Sequence, residues 1–178
     1  MTTAQHPTLW LTGLSGAGKT SIALALAQTL KAQGRAVALL DGDQLRHGLN
    51  RDLGFTPQDR HENIRRTAEV ARLMNDAGVT VIAAFISPYR ADRAMAAQVI
   101  GAGQFIEIHV STPVAVCEAR DVKGLYAKAR AGELAQFTGV SAPYEEPLDA
   151  ALTLDTQALA LEESVERICQ YLWQRQQQ

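Results

Sequence analysis

The chain has 178 residues, of which 47% are hydrophobic, and a formal net charge of −2. This length suits a single domain with a substantial core, which we place across residues 1–178. The near-neutral charge excludes the bulk electrostatic attraction by which proteins bind nucleic acid or anionic membranes. No stretch reaches the ~20 apolar residues that span a bilayer. Residues 1–8 lack the pattern of a signal peptide, so we expect none.

The cysteine content indicates a reducing compartment. Cys117 and Cys169 are far apart and lie outside any C-x-x-C pattern. Two buried thiols are therefore favoured over a disulfide or a metal site. We expect a cytoplasmic protein.

The first predicted element is a strand at residues 9–12, and it leads into a phosphate-binding loop. Residues 13–20 read GLSGAGKT, a complete G-x-x-x-x-G-K-[ST] motif, and the Ala/Leu-rich run at 21–30 predicts a helix. This order lets backbone N–H groups and the helix N-terminus face a triphosphate. Lys19 can reach the β- and γ-phosphates, and the Thr20 hydroxyl can ligate Mg²⁺. The alternative is a glycine-rich turn that matches by chance.

Further apolar runs predict strands that alternate with helices. The strands are expected at 36–40, 80–85, 105–110 and, more weakly, 152–154, and the helices at 59–76, 91–100, 113–120 and 161–175. Thr56-Pro57 and Thr112-Pro113 each place a hydroxyl residue before a proline suited to the first helical position. Continuous apolar strands separated by helices indicate an α/β fold, a parallel sheet with helices on both faces. Ligands of such sheets gather at the carboxyl ends of the strands.

Two carboxylates follow the second predicted strand at that edge, Asp41 and Asp43. They are placed to hold a metal-bound water or to accept a proton from a hydroxyl. The alternative is an ordinary turn, because Asp-Gly pairs are common in turns.

Two other segments near this edge leave alternatives open. Ser87 follows the third strand and precedes a proline, which favours an extended backbone. It could contact substrate or simply connect a strand to a helix. In the 51–63 segment, Phe55 lies near Arg60. An exposed aromatic among arginines suits a stacked base with anionic groups, whereas a solvated loop with Phe55 in the core is equally consistent.

Residues 121–146 form the least regular part of the chain. Insertions of this length are usually lids or binding loops, and a kinase needs a lid to keep water from the γ-phosphoryl group. Residues 121–124 also match the D-x-x-G of GTPase switches. They follow a helix rather than a strand, and no N-K-x-D guanine motif occurs, which disfavours a GTPase.

Five groups of motifs make the chain resemble the adenylylsulfate kinase (APS kinase) family from residue 11 to about residue 156. These are GLSGAGKT at 13–20; DGD at 41–43 with RHGLN at 46–50; LGF at 53–55 with Arg60 and ENIRR at 62–66; FISPYR at 85–90; and KGLY at 123–126 with FTG at 137–139. The resemblance implies a P-loop NTPase-type fold with a lid. It also implies phosphoryl transfer from ATP to the 3′-hydroxyl of adenosine 5′-phosphosulfate (APS), giving PAPS in sulfate assimilation, with Mg²⁺ as cofactor. Family members are often homodimers.

The resemblance also implies roles for individual residues. The ATP-binding residues are Ser15, Gly16, Ala17, Gly18, Lys19, Thr20 and Ser21. The substrate-binding residues are Asp43, Arg46, Phe55, Arg60, Asn63, Ile86, Ser87, Lys123 and Phe137, of which the two phenylalanines match the aromatics that sandwich the adenine. Asp43 would receive the hydroxyl proton. Ser87 matches a serine described for some members as a phosphoenzyme intermediate, although direct in-line transfer needs no covalent stage.

Other functions remain open at this point. The alternatives are another small P-loop nucleotide or metabolite kinase and a nucleotide-gated binding module without turnover. The chain departs from the commonest family pattern at Val122, Ala127 and Ser141, all in the predicted lid.

Overall fold

The computed structural model describes residues 6–177, so residues 1–5 and 178 of the predicted domain lie outside the described residues. Its centre is a five-stranded sheet with the order β2-β3-β1-β4-β5. Every neighbouring pair of these strands is parallel. The strands are β1 (Thr8–Thr12), β2 (Val37–Asp41), β3 (Thr80–Ala84), β4 (Phe105–Val110) and β5 (Leu152–Leu154).

Helices cover both faces of the sheet. They are α1 (Lys19–Ala32), α2 (Gly42–Arg46), α3 (Pro57–Asp76), α4 (Arg90–Ile100), α5 (Val114–Arg120), α6 (Leu125–Arg130) and α7 (Leu161–Arg175). One core cluster joins the sheet to α1 and α7, and a second joins it to α3 and α4. The predicted α/β fold class is therefore confirmed. Between residues 6 and 177, no helix combines the length and the apolarity needed to cross a membrane.

The central strand β1 shows why this sheet needs helices on both sides. All five of its residues are buried. Because successive side chains of a strand point to opposite faces, Leu9 and Leu11 enter one core cluster and Trp10 enters the other. Trp10 stacks on Phe85 with ring centroids 5.4 Å apart. A strand that is buried on both faces needs apolar residues at successive positions, and this continuous apolar run is what predicted β1.

One of the two predicted helix caps is confirmed and the other is wrong. Thr56 caps α3, since its Oγ1 accepts a hydrogen bond from the Asp59 N–H at 3.1 Å. Pro113, not Thr112, is the N-cap of α5, and it makes no side-chain cap bond. The Thr112 hydroxyl instead donates to the carbonyl oxygen of Ala17 at 3.1 Å. The Thr112 hydroxyl therefore bonds to the phosphate loop, although the local sequence predicted that it would cap α5.

Candidate active site

The phosphate loop lies between β1 and α1, at the carboxyl edge of the sheet. Gly16 and Gly18 have φ angles of 75° and 99°, a region that side chains with a Cβ rarely adopt. A Cβ on Gly16 would also lie 3.0 Å from the carbonyl oxygen of Cys117. Both glycines are therefore required by the path of the backbone, although only Gly18 is fixed by the motif.

Side chains from distant segments hold the carbonyl oxygens of this loop. The hydroxyls of Thr112 and Thr156 lie 3.1 and 2.9 Å from the Ala17 oxygen. Tyr126 of α6 donates to the Ser15 oxygen at 2.9 Å. The N–H of a trans peptide points opposite to its C=O, so these anchors turn the next N–H groups of the loop outward.

Sequence reasoning did not find Thr112, Thr156 or Tyr126 as supports of the loop. They lie about a hundred or more positions away from it in the chain. The sequence around a Thr or Tyr does not indicate which distant carbonyl oxygen its hydroxyl will bond to, so only the tertiary structure shows these contacts.

The ammonium group of Lys19 is buried against the loop. Its Nζ donates to the carbonyl oxygens of Gly13 at 2.9 Å and Leu14 at 2.7 Å. A lysine ammonium carries more N–H donors than these two bonds use, so it can still donate to an anion. Burial is the main cause that lowers the pKa of Lys19 to about 8.

The two residues predicted to bind Mg²⁺ lie in direct contact. The Thr20 Oγ1 donates to the Asp41 Oδ2 at 2.9 Å. The other carboxylate oxygen, Asp41 Oδ1, accepts from the Asp43 N–H at 2.9 Å and so caps the short helix α2. Hydroxyl and carboxylate oxygens are the ligands that Mg²⁺ prefers. The residues present therefore fit the expected ion.

Asp43 lies at the solvent-exposed side of this group. Its carboxylate forms an ion pair with Lys123, from the predicted lid segment. The Asp43 side chain is 65% exposed, which leaves it accessible to a substrate hydroxyl. The structure thus joins the D-G-D motif to the lid across 80 positions of sequence.

Phe55 and two arginines form a second group. Phe55 is 58% exposed, which rules out the alternative of a core residue. The guanidinium of Arg46 lies 4.3 Å from its ring centroid, and that of Arg60 lies 5.7 Å from it. Burial and the neighbouring Arg60 both lower the pKa of Arg46. Two cations beside an exposed aromatic ring suit an anionic ligand with a base.

Arg60 also connects this group to the predicted lid. Its Nη2 donates to the carbonyl oxygen of Gln136 at 3.2 Å, next to Phe137. Phe137 is half-buried and meets the Tyr126 ring edge-on, with centroids 5.0 Å apart. Arg60 therefore contacts Phe55 directly and the residue before Phe137, while Phe137 also packs against the core.

Asn63 is buried on α3, and Asn50 fixes its orientation. The Asn50 Nδ2 donates to the Asn63 Oδ1 at 2.6 Å. This bond leaves the amide N–H groups of Asn63 as donors. Asn50 lies in the predicted RHGLN motif, but the sequence alone did not identify it as a partner of Asn63.

Ile86 and Ser87 follow β3, and their backbone is held closely. The Thr12 Oγ1 donates to the Ile86 oxygen at 2.7 Å. The Ser87 Oγ is buried and accepts from the Trp10 Nε1 at 3.1 Å. The expectation of an extended backbone at Ser87 is wrong, since its φ is 39°. Tertiary contacts override the local preference at this residue.

Comparisons with known proteins identify the family of this chain. The model of the adenylylsulphate kinase family matches residues 5–155. The adenylyl-sulfate kinase of Shewanella amazonensis is 56% identical over 164 residues, which cover 92% of this chain and 83% of that protein.

Solved structures show the same relationship. The APS kinase of Mycobacterium tuberculosis, in complex with AMPPNP and APS, superposes with a TM-score of 0.92 at 45% identity, covering 95% of this chain and 98% of that one. A hexameric APS kinase from Thiobacillus denitrificans matches with a TM-score of 0.72 at 35% identity, covering 96% of this chain and 29% of that one. The chain therefore belongs to the adenylylsulphate kinase family.

Proposed function

We propose that this protein is an adenylyl-sulfate kinase that transfers the γ-phosphoryl group of ATP to the 3′-hydroxyl of APS, giving PAPS for sulfate assimilation. The hydrogen bond between Thr20 and Asp41 carries this proposal, because it joins the phosphate loop to the D-G-D segment. The site for the phosphoryl donor ATP and the site for the acceptor APS, which includes the Asp43 carboxylate, thereby lie at one edge of the sheet. Transfer between two bound nucleotides requires this adjacency.

On the ATP side, residues 15–21 hold the phosphates. Lys19 and the outward N–H groups of the loop stabilise the negative charge that moves onto the β–γ bridge oxygen during transfer. Thr20 and Asp41 would hold Mg²⁺, Asp41 through a bound water. When bound, the ion neutralises charge on the β- and γ-phosphates.

On the acceptor side, Asp43 receives the proton of the attacking 3′-hydroxyl, and Lys123 lies beside it to balance charge. Arg46 and Arg60 bind the anionic groups of APS, and Asn63 donates to it from its fixed amide. The residues that complete this site are Phe55 and Phe137 around the adenine, and Ile86 and Ser87 along the nucleoside. We assign Ser87 a backbone contact, because its hydroxyl is buried against Trp10.

The 121–146 segment serves as the lid of a single domain in this proposal. Its helix α6 contacts the phosphate loop through Tyr126, and its Lys123 contacts Asp43. Binding of either nucleotide at these points would favour closure over the site, which excludes water from the reacting phosphoryl group.

Location and assembly are also part of the proposal. Cys117 and Cys169 are both free thiols, as a reducing cytoplasm would keep them. Association into a homodimer stays a prediction. Most of the apolar face of α3 is core, while Leu73 on the same helix is 59% exposed. Sedimentation velocity tests the assembly.

The deciding experiment measures ADP release with and without APS and identifies the product. We expect turnover that depends on APS and yields PAPS. Adenosine and gluconate serve as competing acceptors, and a higher specificity constant for either would favour a different P-loop kinase. Nucleotide binding without APS-dependent turnover would indicate a binding module instead.

A further inference from the structure

The turn after β3 has an unfavourable backbone conformation at Ser87. Its φ of 39° lies in the left-handed region, which residues other than glycine rarely adopt. The following proline should favour an extended conformation at this position. A conformation opposed in both ways persists only where the surrounding structure imposes it. The contacts of this turn therefore show what imposes it.

Arg93 of α4 makes the charged contact to this turn. Its Nη1 donates to the Ser87 carbonyl oxygen at 2.7 Å. Its Nε donates to the Glu107 carboxylate at 2.6 Å, and its Nη2 donates to the Glu145 carbonyl oxygen at 2.6 Å. The residue is only 3% exposed. A guanidinium makes these three bonds at once because its donors form a rigid planar fork.

The partners of Arg93 come from separate parts of the fold. Glu107 lies on β4, Ser87 follows β3, and Glu145 belongs to the segment before β5. The Glu145 N–H in turn donates to the Pro88 oxygen at 2.8 Å. Arg93 therefore fixes the turn relative to both the sheet and the end of the lid segment.

We propose that Arg93 is a positioning residue for the acceptor nucleotide: it holds Ser87 in the left-handed conformation in which Ile86 and Ser87 contact APS. This inference rests on the proposed function. Arg93 itself donates no hydrogen bond to residues 13–20 of the phosphate loop. The turn that it holds meets this loop through the long hydrogen bond from the Gly13 N–H to the Ile86 oxygen, at 3.4 Å, so the effect of Arg93 falls mainly on APS rather than on ATP.

Arg90 offers a matched control on the same helix. It is exposed, and its Nε donates to the Glu146 oxygen at 2.7 Å, so it contacts the same segment as Arg93 does. Its hydrogen bonds go to Glu145 and Glu146, not to Ser87. Arg90→Lys thus tests a changed contact to the end of the 121–146 segment while the contact to Ser87 is kept.

The experiment compares steady-state constants of Arg93→Lys, Arg90→Lys and the wild type. Lysine keeps the buried charge but cannot make all three bonds. We expect the KM for APS to rise about tenfold in Arg93→Lys, the effect of losing one charge-assisted hydrogen bond. The KM for ATP should stay within about twofold in both variants, because neither arginine donates a hydrogen bond to residues 13–20.

A conformational rescue separates positioning from general support of the fold. Glycine adopts positive φ without steric cost. Adding Ser87→Gly to Arg93→Lys should therefore recover most of the lost affinity for APS. Glu107→Gln is a milder variant that keeps an oxygen facing Arg93, and it should raise the KM for APS in the same direction. It carries the test if Arg93→Lys does not fold.

Three results would overturn the inference while leaving the proposed function intact. These are an unchanged KM for APS in Arg93→Lys and Glu107→Gln, equal changes for APS and ATP, and no recovery by Ser87→Gly. A wild type that does not phosphorylate APS would instead refute the proposed function itself, and this inference with it.

Discussion

Lys19 is the cationic residue of the phosphate loop. Its ammonium is held by two loop carbonyls, so the side chain is already oriented toward the loop. Lys19→Ala should reduce turnover by about 10²-fold or more, because it removes a cation aligned with the transferring charge. The fold should survive, as shown by an unchanged circular dichroism spectrum. Lys31→Ala, at the exposed end of the same helix, is the control and should retain activity. Near-normal turnover in Lys19→Ala would refute the nucleotide assignment.

Asp43 is the candidate general base, and its test separates chemistry from binding. Asparagine keeps the shape of the side chain but does not readily accept a proton. Asp43→Asn should lower the single-turnover rate by about 10²–10⁴-fold, nearer the low end because loose phosphoryl transfer needs little help from a base. Asp52→Asn, on the exposed surface, is the control. An unchanged chemical step would leave Asp43 as a positioning group.

The two aromatic residues should affect APS binding without affecting ATP. Phe55→Ala and Phe137→Ala should each weaken APS binding by roughly 1–3 kcal/mol, the range for one base–aromatic stack. Calorimetric titration measures both dissociation constants. Each substitution also removes a second contact. Phe55 lies against the guanidinium groups of Arg46 and Arg60, and Phe137 packs on Tyr126. Trp173→Ala removes an exposed aromatic ring on α7 and should change neither constant. Normal APS binding in Phe137→Ala would make Phe137 an ordinary lid residue.

Helix α3 carries Arg60 and Asn63, and its first turn is stabilised by Thr56. The Thr56 hydroxyl donates to the Asp59 carboxylate at 2.8 Å and accepts from the Asp59 N–H at 3.1 Å. Thr56→Ala should lower the free energy of unfolding by about 1 kcal/mol, the usual effect of losing an N-cap. Thr56→Ser keeps the hydroxyl and should stay close to the wild type. Urea denaturation measures both, and equal stability of the two variants would contradict the assignment of the cap.

The helices that the sequence missed are short ones. Helices α2 and α6 have 5 and 6 residues, too few for a clear periodic pattern. Isolated helices of this length do not form, so tertiary contacts must stabilise them. Asp41 caps α2, and the Asp121 carboxylate accepts from the Tyr126 N–H at 2.9 Å at the start of α6. The longer helices were predicted from an Ala/Leu-rich run at 21–30 and from segments that alternate with the apolar strands.

At the scale of the whole molecule, we expect one cooperative unfolding transition. The two core clusters share the strands of one sheet, so neither should unfold alone. Trp10 is fully buried in the cluster that contains α3 and α4, whereas Trp173 is 62% exposed. In Trp173→Phe, the fluorescence of Trp10 should therefore report on the core. Its urea transition should coincide with that measured by circular dichroism, and separate midpoints would contradict a single domain.

The sequence by itself determined the elements with strong local patterns. The phosphate loop depends on glycines, a lysine and a hydroxyl residue within eight positions, so its chemistry can be read from residues 13–20 alone. The buried strands follow from their continuous apolar runs, and the long helices from the segments that separate those runs. The carboxyl-edge location of Asp41 and Asp43 follows from the parallel topology.

Only the tertiary structure decided which distant residues meet at that edge. The ion pair of Asp43 with Lys123 joins residues 80 positions apart, and the bond from Arg93 to Glu145 joins residues 52 apart. Such contacts depend on strand order and on how the 121–146 segment packs, and no local pattern encodes either. The left-handed backbone of Ser87 shows the same limit, because its neighbouring proline favours the opposite conformation and buried partners impose this one.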